Sequence, residues 1–147
     1  MTLPAAGTLV STIDVGARID DITDATGWLG ELAEREGWPD ETRFALELSL
    51  EEALTNVVSY GFAGVDTAPR IRIECYRLPD GRPMVRLIDN GVPFDPTTIA
   101  EPEVPDSLEE AKIGGHGVQL MRHFLESLAY AREGEENHLT LVTRPPS

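Results

Sequence analysis

The sequence predicts an α+β fold: a two-layer α/β sandwich whose mixed, mostly antiparallel sheet carries its helices on one face. Three observations predict it. Short stretches of alternating apolar and polar residues occur at both ends and in the middle of the chain, two helical periods follow the first stretch, and a third precedes the last hairpin. At 147 residues and 41% hydrophobic composition the chain suits one core, so a single domain is expected over residues 1–147.

Taken in order, Thr8 to Val15 alternates as an edge strand with Leu9, Ser11, Ile13 and Val15 on one face. A helix is expected from Ala17 to Glu36, with Ile22, Ala25, Leu29 and Leu32 or Ala33 at helical spacing and Gly37 and Pro39 as its stop. Gly27 and Gly30 weaken its middle. A second helix runs from Asp40 to about Tyr60, where Leu46, Leu50, Ala53, Val57 and Tyr60 form one buried stripe. Glu52 and Asn56 lie one turn apart beside that stripe and share a face. Ile71, Ile73 and Cys75 then alternate with Arg70, Arg72 and Glu74, Pro79-Asp80-Gly81 turns the chain, and a strand returns from Met84 to Ile88. Residues 96–113 are acidic, Pro-containing and without an apolar period, which reads as a lid or loop. The third helix follows with Val118, Met121, Leu125 and Leu128 toward the core. The final hairpin pairs Ala129 to Arg132 with the alternating Leu139, Leu141 and Thr143.

A formal charge of −14 and a pI near 4.4 oppose direct binding to nucleic acid or anionic lipid. Positive partners are attracted over a Debye length of about 8 Å at physiological salt. Cys75 is the lone cysteine, so an internal disulfide and a cysteine-based zinc cluster are excluded. No apolar run suits a membrane helix and no secretory pattern opens the chain, so a cytoplasmic protein is expected.

The chemistry gathers in three stretches. Leu87-Ile88-Asp89-Asn90-Gly91-Val92-Pro93-Phe94-Asp95 is an apolar strand that ends in one carboxylate and a turn. Glu51-Glu52-Ala53-Leu54-Thr55-Asn56 sets a carboxylate and an amide one helical turn apart. Gly114-Gly115-His116-Gly117-Val118-Gln119-Leu120-Met121 is a glycine loop opening a helix, where backbone N–H groups suit a phosphate. Separately these read as a strand exit, a solvated helix face and a glycine-rich helix start. Together they point to a nucleotide site. It is not a P-loop, because Lys112, the sole lysine, follows Ala111 and no Gly-x-x-x-x-Gly-Lys exists. A Gly-x-Ser-x-Gly elbow is absent too, and His116, His123 and His138 lack a metal-ligand spacing.

The three stretches resemble the N, G1 and G2 boxes of the GHKL ATPase superfamily, and within it are most similar to the stand-alone anti-sigma factor serine kinases of bacteria. Asp-Asn-Gly-Val-Pro-Phe-Asp-Pro and Glu-Ala-x-Thr-Asn carry the likeness, together with the terminal Asn-x-Leu-x-Leu at Asn137 to Leu141. The resemblance implies a histidine-kinase-like ATPase fold with ATP and Mg²⁺ as ligands. It implies that Asn56 coordinates Mg²⁺ and that Glu52 orients or deprotonates an attacking hydroxyl. Asp89 would accept from the adenine amino group, and Gly91 would let the backbone approach the base. Gly115 and Gly117, with Val118, would form the hinge and phosphate loop. His116 either touches a phosphate or faces solvent. The implied partners are a sigma factor, an anti-sigma antagonist phosphorylated on serine or threonine, and a second copy in a homodimer. The alternative is a partner-sequestering module that binds nucleotide structurally or not at all. A detached sensor-kinase domain fits less well, because no dimerisation helix bears a phospho-acceptor histidine.

Overall fold

The computed structural model describes residues 7–98 and 116–146. The elements are β1 (Thr8–Val15), α1 (Ile22–Glu36, after a 3₁₀ turn at Ile19–Asp21), α2 (Asp40–Asn56), β2 (Ile71–Arg77), β3 (Pro83–Asp89), α3 (His116–Phe124), β4 (Leu125–Glu133) and β5 (Glu136–Thr143). The five strands form one sheet in the order β1-β2-β3-β5-β4. Every pairing in it is antiparallel, in keeping with the mostly antiparallel sheet expected from the sequence.

The helices bury one stripe each against one face of that sheet. Ala25, Leu29 and Leu32 of α1, Leu46, Leu50, Ala53 and Leu54 of α2, and Val118 and Met121 of α3 meet Ile71, Ile73, Cys75, Val85, Leu87, Leu139 and Leu141 from the strands. Gly37 ends α1 in the left-handed region at φ 68°, donating its N–H to the carbonyls of Ala33 and Glu34, which is the cap that favours glycine. Trp28 and Trp38 pack on the core, and the Trp28 indole N–H donates to Ser11 Oγ at 3.0 Å. Cys75 is a packing residue, and burial pushes its thiol up to about 12. No helix among the described residues is long and apolar enough to cross a membrane.

The structure departs from the sequence reading in three places. In β1 a bulge between Leu9 and Ser11 shifts the alternation, so Val10, Ile13 and Val15 face the core and Leu9 is 51% exposed. The helical stripe of α2 does not reach Tyr60. From Val57 to Gly61 the chain makes a π turn, whose i→i+5 bonding adds a residue and rotates Tyr60 off the stripe, leaving it 64% exposed. The third helix stops at Phe124, and Leu125 is already the first residue of β4. A register shift between Leu125 and Ser127 turns both Leu125 and Leu128 toward the core, which gives a strand the apparent spacing of a helix. Of the expected lid only Pro96–Thr98, a 3₁₀ turn, is described, and residues 99–113 lie outside the described residues.

Leu50 is fully buried at the centre of this core. Leu50→Ala is expected to destabilise the fold by about 2–5 kcal/mol. Urea titration should show the loss as a lower midpoint with an unchanged m-value.

Candidate functional site

Hydrogen bonding along β3 carries an apolar strand into the core, and its last residue is the carboxylate. Asp89 is 5% exposed. Its Oδ1 accepts the Gly91 N–H at 2.9 Å and the Asn137 Nδ2 at 3.0 Å. Among the described residues Oδ2 accepts no hydrogen bond. Burial raises the Asp89 pKa, and the bonds from Asn137 and Gly91, then the charges of Arg132 and His138, pull it back. A buried carboxylate with one satisfied oxygen and one open oxygen suits a donor such as an exocyclic amine.

That carboxylate lines a cleft between α2 and the sheet. Ala53, Asn56, Val57 and Gly61 form the helix side, Leu87, Asn137 and Leu139 the sheet side, and Val92, Phe94 and Pro96 come from the segment after β3. Apolar walls with one carboxylate fit an aromatic heterocycle carrying an amine. Asn56, the last residue of α2, is half-buried, and its amide has no hydrogen-bond partner among the described residues. An unclaimed amide oxygen is a suitable ligand for a hard cation.

Gly91 is required for contact. Its φ is not positive, but a Cβ there would overlap the Gly61 carbonyl, and the next residue's N–H donates to that same carbonyl at 2.8 Å. The strand exit is thus tied to the end of the π turn. The Asn90 side chain accepts the Arg70 N–H at 2.6 Å and donates to Ala68 O at 2.9 Å, holding the approach to β2.

Glu52 lies one turn before Asn56 and outside the apolar cleft. A Cβ on Gly117 would overlap its carboxylate as placed, so the start of α3 sits directly against Glu52. Burial, then the neighbouring Glu51, raise the Glu52 pKa. The structure therefore brings Glu52 to Gly117, and Asn56 to Asp89. His116 opens α3, while Gly115 and Lys112 lie outside the described residues. The Val118 side chain is a core residue at 2% exposure, which leaves only its backbone for a ligand. Thr55 Oγ1 donates to the Glu51 carbonyl at 2.8 Å and is occupied within the helix.

Sequence reasoning gave no role to three residues that hold this site. Asn137 donates to Asp89 and to Val92 O at 2.8 Å, and its own carbonyl accepts from Tyr130 OH and from Arg132 Nη1 at 3.2 Å. Arg132 Nη1 also donates to Gly91 O at 2.7 Å. The signal was an asparagine in phase with Leu139 and Leu141, a polar residue at a core-facing strand position.

The raised Asp89 pKa fixes the sign of a pH effect. Between its ordinary value of 3.8 and its higher folded value, the folded state binds more protons than the unfolded one. Stability from this group is therefore lost as pH rises through that window. Urea titrations across it should show wild type losing stability relative to Asp89→Asn as pH increases, and a difference independent of pH would contradict the assignment.

Comparison with known proteins agrees with the geometry. Residues 15–143 match the family described as the histidine kinase-like ATPase domain. The chain is 38% identical over 133 residues to the serine/threonine-protein kinase BtrW of Bordetella bronchiseptica, covering 90% of this chain and 92% of that protein. It is 33% identical over 111 residues to the serine-protein kinase RsbW of Listeria monocytogenes, covering 72% of this chain and 69% of that protein. Among solved structures, the histidine kinase domain of the Erythrobacter litoralis EL346 blue-light activated histidine kinase shares the fold, with a TM-score of 0.50 at 15% identity. That alignment covers 84% of this chain and 58% of the other. With a buried strand-end carboxylate facing a helix-end amide in a five-stranded antiparallel sandwich, and a family match from β1 to β5, the chain belongs to the histidine kinase-like ATPase domain family.

Proposed function

We propose that this protein is an ATP-dependent protein serine/threonine kinase that also acts as an anti-sigma factor. The observation that carries the reading is the cleft shared by the buried Asp89 and Asn56, with Glu52 one helical turn before Asn56 and against the glycine start of α3. The two kinases it resembles are named for phosphorylating serine or threonine, which supports a protein acceptor.

Asp89 Oδ2 would accept from the adenine amine, and the apolar walls would exclude water around the ring. Asn56 would give an amide oxygen to Mg²⁺, which would supply positive charge to offset that of the phosphates. Backbone N–H groups at the start of α3 would face the phosphates. The acceptor hydroxyl would attack the γ-phosphorus, the bond to the β-phosphate oxygen would break, ADP would leave, and the hydroxyl proton would pass to Glu52. A Glu52 pKa raised by burial makes that carboxylate a stronger base than a solvated one. The −14 charge would steer a basic partner such as a DNA-binding sigma factor, and the assembly would be a cytoplasmic homodimer.

Calorimetric titration of ATP with and without Mg²⁺ tests the site. Wild type should bind in a Mg²⁺-dependent manner and Asp89→Asn should bind about ten- to a hundred-fold more weakly. Glu52→Gln should keep nucleotide binding and lower phosphoryl transfer to a serine-bearing antagonist protein by about 10²–10⁴-fold. Binding without transfer to any such acceptor would favour the partner-sequestering module. No binding at millimolar ATP would end the kinase reading.

A further inference from the structure

The amide of Asn137 has every hydrogen-bonding position filled. Its two N–H groups go to Asp89 Oδ1 and Val92 O, and its carbonyl accepts from Tyr130 OH and Arg132 Nη1. The residue is 5% exposed, so none of these bonds is easily replaced by water. The network also fixes which way the amide points. Reversed, it would set its oxygen against a carboxylate and a carbonyl, and its nitrogen against two donors. Arg132 closes the ring by donating to Gly91 O at 2.7 Å, so β4 and β5 grip the turn that follows Asp89 from both sides.

This arrangement assigns the two oxygens of Asp89 different duties. Oδ1 is tied by Asn137 and by the Gly91 N–H, which holds the carboxylate in one rotation about its terminal bond. Oδ2 accepts no hydrogen bond among the described residues and stays open toward the cleft. We propose that Asn137, oriented by Tyr130 and Arg132, is the positioning residue that sets purine selectivity, by holding Asp89 as an acceptor that takes an amine and refuses a carbonyl at the same place. The proposal deepens the nucleotide reading above and depends on it. Adenine presents an amine donor there and guanine presents a carbonyl, so a fixed acceptor pairs with the first and repels the second. Without the tether only the Gly91 N–H holds the carboxyl, which can then swing its acceptor away from that place, removing the repulsion, or take a proton and donate to the carbonyl through its O–H. Selectivity would then fall more than affinity for ATP.

The test is calorimetric titration of ATP and of GTP, each with Mg²⁺, into the full chain as wild type, Asn137→Asp, Asn137→Leu and Arg132→Gln. Asn137→Asp keeps the shape and sets a carboxylate against Asp89. Arg132 is exposed, so Arg132→Gln keeps the selectivity test available where a core variant does not fold. The expected result is a wild-type preference for ATP of about a hundred-fold, reduced about tenfold or more in the Asn137 variants and by a smaller factor in Arg132→Gln. Thermal unfolding of each variant separates loss of fold from loss of selectivity. A wild-type preference kept in the variants, even with both affinities lowered equally, would overturn the proposal and leave Asn137 a structural residue. Equal binding of ATP and GTP by wild type would overturn it as well. Wild type that binds neither nucleotide would overturn the nucleotide reading itself, whereas ATP binding with unchanged selectivity in the variants leaves that reading standing.

Discussion

The contact between Gly61 and Gly91 is the joint on which the site depends. One is the last residue of the π turn after α2 and the other lies just beyond β3, and the Val92 N–H donates to the Gly61 carbonyl across the gap. A side chain on Gly91 would occupy the position of that carbonyl. The approach draws the C-terminal end of α2 down onto the end of β3, and so places Asn56 and Asp89 on facing walls of one cleft. Burial of the helical stripe supplies the energy that holds α2 on the sheet, but the glycine contact sets where along the sheet the helix ends. The π turn belongs to the same geometry, since it ends at Gly61, whose carbonyl accepts the Val92 N–H just beyond β3.

Two carboxylates in the site are treated differently by their surroundings. Asp89 has its charge held by an amide, a backbone N–H and more distant positive groups while burial works against it. Glu52 has burial and a like charge acting in the same direction, with no bond from a neighbour among the described residues to offset them. Burial thus raises the pKa of both carboxylates, and only Asp89 has hydrogen bonds that work against the rise. Their separation into an apolar cleft and a helix–helix contact gives each role its own place.

Much of this was legible in the sequence because periodicity reports burial directly. The stripes of α1 and α2 and the β2–β3 hairpin follow from apolar spacing, and Glu52, Asn56 and Asp89 are placed by the elements that carry them. What was not legible depends on contacts between distant segments. The contact of Gly117 with Glu52 joins residues remote in sequence, and no local pattern announces it. Leu125 and Leu128 mislead because a bulged strand and a helix can present the same two residues to a core. The roles of Tyr130 and Arg132 appear only when β4 is laid beside β5, so that Tyr130 pairs with Leu139 and Arg132 with Asn137.

The passage from α3 into β4 involves no connecting loop: Phe124 ends the helix and Leu125 begins the strand. A joint without slack transmits displacement along its length. Gly117, against Glu52, and Arg132, on the Gly91 carbonyl, therefore belong to one continuous lever anchored in the core by Met121 and Leu125. The contact with Glu52 and the hold on the strand exit are thus carried by one unbroken run of helix and strand.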